Sequence, residues 1–136
     1  MKIYDTLMGA KRNFTPGGDV VSMYVCGVTP YASAHVGHAM SYIMFDVIRR
    51  YLEFIGFSVR HIQNFTDVDD KIIDRASREG LDVKDLAEKY IADYFEDMTA
   101  LNIQNAHVYP RASEEIGKMI EIINAMVRTG FAYEVE

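Results

Sequence analysis

Along this chain the spacing of apolar positions changes several times, and each change predicts an element. Val20-Val21-Ser22-Met23-Tyr24-Val25-Cys26 is a β-rich apolar run stopped at Gly27, the pattern of a strand buried on both faces. A small-residue loop with Pro30 follows. From about Val36 the period lengthens, and Met40, Ile43, Met44, Val47, Ile48, Tyr51 and Ile55 recur at helical spacing up to a stop at Gly56. Phe57 to Phe65 returns to a strand pattern, with Phe57, Val59 and His61 alternating. Asp67 to Glu79 predicts a short helix with acids in its first turn and Gly80 at its end. Asp82 caps a longer helix striped by Leu86, Tyr90, Ile91, Tyr94, Phe95 and Met98. Val108-Tyr109-Pro110 breaks the pattern, and Ser113 is the expected N-cap of a last helix that stops at Gly130.

The two ends are less regular. Lys2 to Pro16 reads as an extended leader, with Ile3, Leu7 and Phe14 available for packing, closed by the turn Pro16-Gly17-Gly18-Asp19. Phe131-Ala132-Tyr133-Glu134-Val135-Glu136 alternates with period two, like a strand just begun. The order strand, helix, strand, helix predicts an α/β fold built on a right-handed βαβ unit of a parallel sheet. Two strands do not make such a sheet stable alone. The expectation is therefore an incomplete fold, truncated within its last strand.

Composition narrows the class. The 136 residues are 49 % hydrophobic and 25 % charged, with 9 Gly and 3 Pro, which excludes disordered, collagen-like and coiled-coil chains. A single cysteine excludes a disulfide scaffold and fits a reducing, cytoplasmic compartment. The start lacks the apolar stretch of a signal peptide, and no run approaches the ~20 apolar residues of a membrane span. The net charge of −6 is uneven. Residues 1–60 carry six basic and four acidic side chains, and residues 61–136 eight and sixteen. An acidic second half is a poor phosphate-binding face, so broad nucleic-acid contact is not expected of these residues.

The chemistry concentrates in Cys26-Gly27-Val28-Thr29-Pro30-Tyr31-Ala32-Ser33-Ala34-His35-Val36-Gly37-His38, where a strand hands over to a helix. Open α/β sheets bind ligands in the crevice beyond such a strand end. A helix N-terminus there offers unpaired N–H groups and a positive dipole end, both suited to phosphate. Gly37 lacks a Cβ and lets a flat base or ribose approach the backbone. His35 and His38, three apart, share a helical face, and imidazole can donate to phosphate oxygens as charge develops. The stretch Gln63 to Ile73 is a second strand end entering a helix, expected beside the first, with Thr66 facing the crevice of Thr29 and His35. Its D-x-D-D acids read as complements of the helix dipole rather than as a magnesium site.

Met23-Tyr24-Val25-Cys26-Gly27, the HxGH signature His35-Val36-Gly37-His38 and Asn64-Phe65-Thr66-Asp67-Val68-Asp69-Asp70-Lys71-Ile72-Ile73 together resemble the N-terminal half of the cysteinyl-tRNA synthetases, which are class I aminoacyl-tRNA synthetases. The resemblance runs from Ile3 to the Tyr133 region. It implies a Rossmann-like (HUP-type) catalytic domain, with residues 1–100 in its N-terminal half and 101–136 supplying a further helix and the start of a connective insertion. It implies ATP-dependent activation of cysteine to cysteinyl adenylate and transfer to tRNA, through regions mostly outside this chain. His35 and His38 would stabilise the pentavalent phosphate, Gly37 would lie under the adenosine, and Gly27, Thr29 and Thr66 would border cysteine. Magnesium would accompany ATP. Cys26 matches a zinc-ligand position, where zinc would take the substrate thiolate, but its partner ligands and the KMSKS loop are absent from these residues.

Two features depart from the commonest family pattern: Thr29-Pro30-Tyr31, and Ala39-Met40 where a basic residue often follows the histidines. Both resemble the related ligase that joins cysteine to an amino sugar in mycothiol synthesis, which is the alternative reading. A non-catalytic synthetase-like fragment is another, since half of the adenylating machinery is missing. Lys71-Ile72-Ile73 favours the synthetase. The isolated chain is expected to bind ATP weakly and turn over little.

Overall fold

The computed structural model describes residues 1–135. The elements run β1 (Lys2–Asp5), β2 (Ala10–Asn13), β3 (Val20–Val25), α1 (Val36–Phe54), β4 (Ser58–Gln63), α2 (Asp70–Glu79), α3 (Val83–Ala100), a 3-10 turn (Ala112–Glu114) and α4 (Ile116–Arg128). The expected extended leader is instead a hairpin. β1 and β2 pair antiparallel around Gly9, whose φ of 62° suits the turn, and Leu7 points to solvent while Phe14 packs edge-on against Phe57.

β3 and β4 pair in parallel, Val20 opposite Ser58 through Val25 opposite Gln63, with α1 as the connection. This is the expected βαβ unit. A third segment, which the sequence pattern marked only as a break, lies along the far edge of β4. Gln63 and Phe65 donate N–H bonds to the carbonyls of Val108 and Pro110, and Val108 and Arg111 form parallel bridges with Ile62 and Phe65. β3 is not buried on both faces: Val21 and Val25 are buried, whereas Val20 and Tyr24 are exposed. Its apolar run reads as two covered faces, but α1 and β4 cover only one side of it among the described residues.

The main core lies where Val25, Val28, Tyr42 and Phe65 meet Ile91, Tyr94 and Met98 of α3. Phe65, Tyr94, Phe95 and Tyr109 pack ring to ring at centroid distances of 5.0–5.7 Å. Such pairs add about 0.5–1.5 kcal/mol each beyond their buried area. The predicted stripe of α3 is thus its buried face. The stripe of α1 is not. Met40, Ile43, Met44, Val47 and Tyr51 are exposed, Ile48 is half-buried, and the helix buries Tyr42, Asp46, Arg49 and Leu52. Polar side chains can hold the inner face because each is paired. Asp46 accepts from Arg50 at 2.6 Å and from the Gln104 N–H at 3.0 Å, and Arg49 donates to Glu53 and to the Asn105 carbonyl.

Three local expectations are also corrected. α2 begins at Asp70, capped by Asp69, rather than at Asp67. Ser113 does not cap α4, because its N–H and hydroxyl both bind the buried Asp67 carboxylate, so the helix starts after Glu115 with no side-chain cap. Residues 131–135 form no strand, and no strand among the described residues pairs with them; Glu136 lies outside the described residues. No helix among them is long and apolar enough to cross a membrane.

Candidate functional site

The ends of β3 and β4 lie side by side, and the chain crosses between them with no room to spare. A Cβ on Gly27 would sit 1.5 Å from the Asn64 carbonyl oxygen, so only glycine fits. The Gly27 N–H donates to Asn64 Oδ1 at 2.8 Å, and the Tyr24 hydroxyl donates to the same oxygen at 3.0 Å. Asn64 Nδ2 in turn donates to Thr66 Oγ1 at 3.2 Å, and the Thr66 N–H to the Val28 carbonyl at 3.0 Å. Gly27, Val28 and Thr66 therefore belong to one stitched corner, and Asn64 is the residue that stitches it.

Beyond Gly27 the loop runs to His35, the N-cap of α1. His35 Nδ1 accepts from the N–H groups of Gly37 at 3.1 Å and His38 at 3.4 Å, while His38 Nδ1 accepts from the His35 N–H at 3.3 Å. This is a reciprocal capping box made by two imidazoles instead of a hydroxyl and a carboxylate. It has a chemical consequence. A backbone N–H only donates, so each Nδ1 is unprotonated, and each neutral ring carries its proton on Nε2, on the opposite side from the cap.

The two rings stack with centroids 3.8 Å apart, and Gly37 makes the space: a Cβ there would come within 3.0 Å of the His35 ring. Burial, then the neighbouring His35, lowers the His38 pKa, which favours its neutral form. One turn on, Tyr42 lies 6.5 Å from His38 and donates to the Cys26 carbonyl at 3.4 Å. Burial first, then the Cys26 and Tyr109 charges, push its phenol up to about 12, so it remains a donor. Cys26 itself is exposed at the strand end rather than buried as a small structural thiol.

α2 braces this crevice from the side. Arg75 donates to the Tyr31 carbonyl at 2.7 Å, and the Lys71 ammonium lies 5.6 Å from the Tyr31 ring centroid. Two acids of the second junction are occupied: Asp69 accepts from the Lys71 N–H, and Asp67 holds Ser113. Asn64, Tyr42 and Arg75 were not singled out from sequence. Only Gly27 hinted at Asn64, because a glycine at a strand end often marks a close backbone approach.

This strand-end crevice with its HxGH cap can be set beside known proteins. The family model described as tRNA synthetases class I (C) catalytic domain matches residues 14–136. The chain belongs to that family.

Among the curated relatives of this class I synthetase chain is a cysteine–tRNA ligase of Dehalococcoides mccartyi, 53 % identical over the whole chain and matched over 30 % of its own length. Another is a cysteine–tRNA ligase of Thermodesulfovibrio yellowstonii, 47 % identical and matched over 28 % of its length. The synthetase chain thus spans about three-tenths of the relatives it matches. A solved structure of Mycobacterium tuberculosis methionyl-tRNA synthetase bound by methionyl-adenylate superposes on 66 % of it and 18 % of that protein, at 28 % identity and a TM-score of 0.60.

Proposed function

We propose that this chain carries the phosphate-handling and part of the amino-acid-binding half of an enzyme that activates cysteine with ATP and passes it from cysteinyl adenylate to tRNA. The observation that carries the reading is the double-histidine cap. Two Nε2–H donors stand at the N-terminus of a 19-residue helix with no acid in its first turn, beyond the end of a parallel strand. As cysteine's carboxylate oxygen attacks the α-phosphorus of ATP, charge builds on the phosphoryl oxygens and pyrophosphate leaves. Preorganised neutral donors serve that moment best, because they need not reorganise. Gly37 keeps the helix start open for the nucleoside, and Gly27, Thr29 and Thr66 border the amino acid.

Relatives at 47–53 % identity named cysteine–tRNA ligases support tRNA over an amino sugar as acceptor, and a structural neighbour bound by an aminoacyl-adenylate supports the intermediate. The reading keeps residues 101–136 as the approach to a connective insertion and places the reaction in the cytoplasm. Magnesium would travel with ATP. Zinc is different: Cys26 supplies one exposed thiol, and the described residues bring together no three His, Cys, Asp or Glu side chains able to hold a metal. These residues do not make a zinc site by themselves, and nothing in the proposal is routed through one.

The test is cysteine-dependent exchange of pyrophosphate into ATP by the full-length protein, followed by offering tRNA or an aminated inositol sugar as acceptor. Exchange is expected with cysteine and not serine, and His38→Ala should lower it at least a hundredfold, the scale of losing a transition-state donor. Equal exchange with serine, or an unaffected variant, overturns the reading.

A further inference from the structure

We infer that Asn64 is a positioning residue that fixes which way the Thr66 hydroxyl points its proton, and so offers the amino acid a hydrogen-bond donor at that place. The inference rests on the proposed binding of cysteine beside Thr66. Its logic is one of donors and acceptors. The Gly27 N–H can only donate, so the atom 2.8 Å from it is the side-chain oxygen Oδ1 of Asn64 and not its amide nitrogen. The Tyr24 hydroxyl, 3.0 Å from the same oxygen, donates too. The orientation of the carboxamide is thereby fixed at its oxygen end, and its NH₂ faces Thr66 Oγ1 at 3.2 Å.

An NH₂ group cannot accept. Thr66 Oγ1 therefore accepts a hydrogen bond from Asn64, and its own proton stays free to be donated elsewhere. A carboxylate oxygen or a thiolate sulfur of the amino acid can receive it, and an ammonium group cannot. The Gly27 N–H, by contrast, is already occupied by Asn64, so Gly27 borders the pocket by shape and by its carbonyl rather than as a free donor. One side chain thus sets the hydrogen-bonding character of both neighbours.

The deciding experiment is a double-mutant cycle on cysteine-dependent exchange in the full-length protein. Asn64→Asp is nearly isosteric and keeps oxygens facing Gly27 and Tyr24, but it presents an acceptor to Thr66 and turns that hydroxyl proton back onto itself. The expected result is a rise of about tenfold in KM for cysteine, with KM for ATP moving less than twofold. Thr66→Val should raise KM for cysteine similarly, and Asn64→Asp added to Thr66→Val should add less than a further twofold, because the two act through one proton. Effects that multiply in the double variant overturn the inference, since they would mean that the new charge acts on the substrate directly. If thermal melts show that Asn64→Asp is unfolded, Asn64→Ala is put through the same cycle with the same criterion. Absence of exchange in the unmutated protein would instead strike the proposed function.

Discussion

The two strand-to-helix junctions lie beside each other and are built on opposite electrostatic plans. At the end of β3, α1 is capped by His35, has no acid in its first turn, and keeps its positive end uncompensated by any carboxylate of its own. At the end of β4, α2 is capped by Asp69 with Asp70 behind it, so its dipole is neutralised within the helix. A third acid, Asp67, is turned to a structural task and anchors Ser113. One junction leaves room for an anion and the other fills that room itself. The difference fits the phosphate role proposed for the first junction and leaves the second to bracing.

The largest expected effect comes from giving the first junction the plan of the second. His35→Asp supplies a carboxylate that caps as well as any side chain, so stability should hold within about 1 kcal/mol. It also places a negative charge where the proposed function puts the triphosphate, and it removes one Nε2–H donor. Exchange is expected to fall about a hundredfold while the thermal midpoint stays put. Unchanged exchange would break the comparison outright. Next is Asp67→Ala, which strands two donors of Ser113. Two charge-assisted bonds at a buried carboxylate predict a loss of about 2 kcal/mol in urea unfolding. A loss below about 0.5 kcal/mol would show that the anchor is ornamental. Smaller still is Asp69→Ala, which removes only the α2 cap. It should cost about 1 kcal/mol and leave exchange within twofold, and a large loss of rate would mean that the second junction also handles substrate.

What the sequence discloses divides along the same line between local and distant causes. Asp82 caps its helix as read, because an N-cap binds a backbone N–H two residues away. Ser113 has the same local credentials, yet its partner Asp67 lies 46 residues back and takes both of its donors. On α1 the helical period was legible, but the face that packs inward was not. Asp46 and Arg49 are buried because backbone groups at Gln104 and Asn105 receive them, and apolar spacing carries no trace of those partners. The histidine pair stood out as a candidate from its motif, whereas the tautomers it adopts and the role proposed for Asn64 depend on contacts that only the folded chain makes.

The smallest effect concerns acid, and it compares a histidine at the first junction with one in the strand leading to the second. The folded chain lowers the pKa of His38, through burial and then His35, and that of His61, through burial, Arg49 and His107, with Asp46 opposing. In the unfolded chain both titrate near the ordinary value of 6.5. Just below that value the unfolded chain binds more protons than the folded one, so stability rises with pH there. It is complete above about 6.5 and is lost as pH falls through the folded values. His61 should carry the greater share, because it is 5 % exposed and both of its ring nitrogens are buried without a partner. The His38 ring is only half-buried, and its Nδ1 has the His35 N–H to hold it neutral. His61→Leu, which removes the two stranded nitrogens, should therefore flatten the decline in urea midpoint between pH 7 and pH 5 without lowering stability at pH 8. An acid decline that survives His61→Leu and vanishes in His38→Ala would reverse the assignment, making the first junction the acid-sensitive part of the fold.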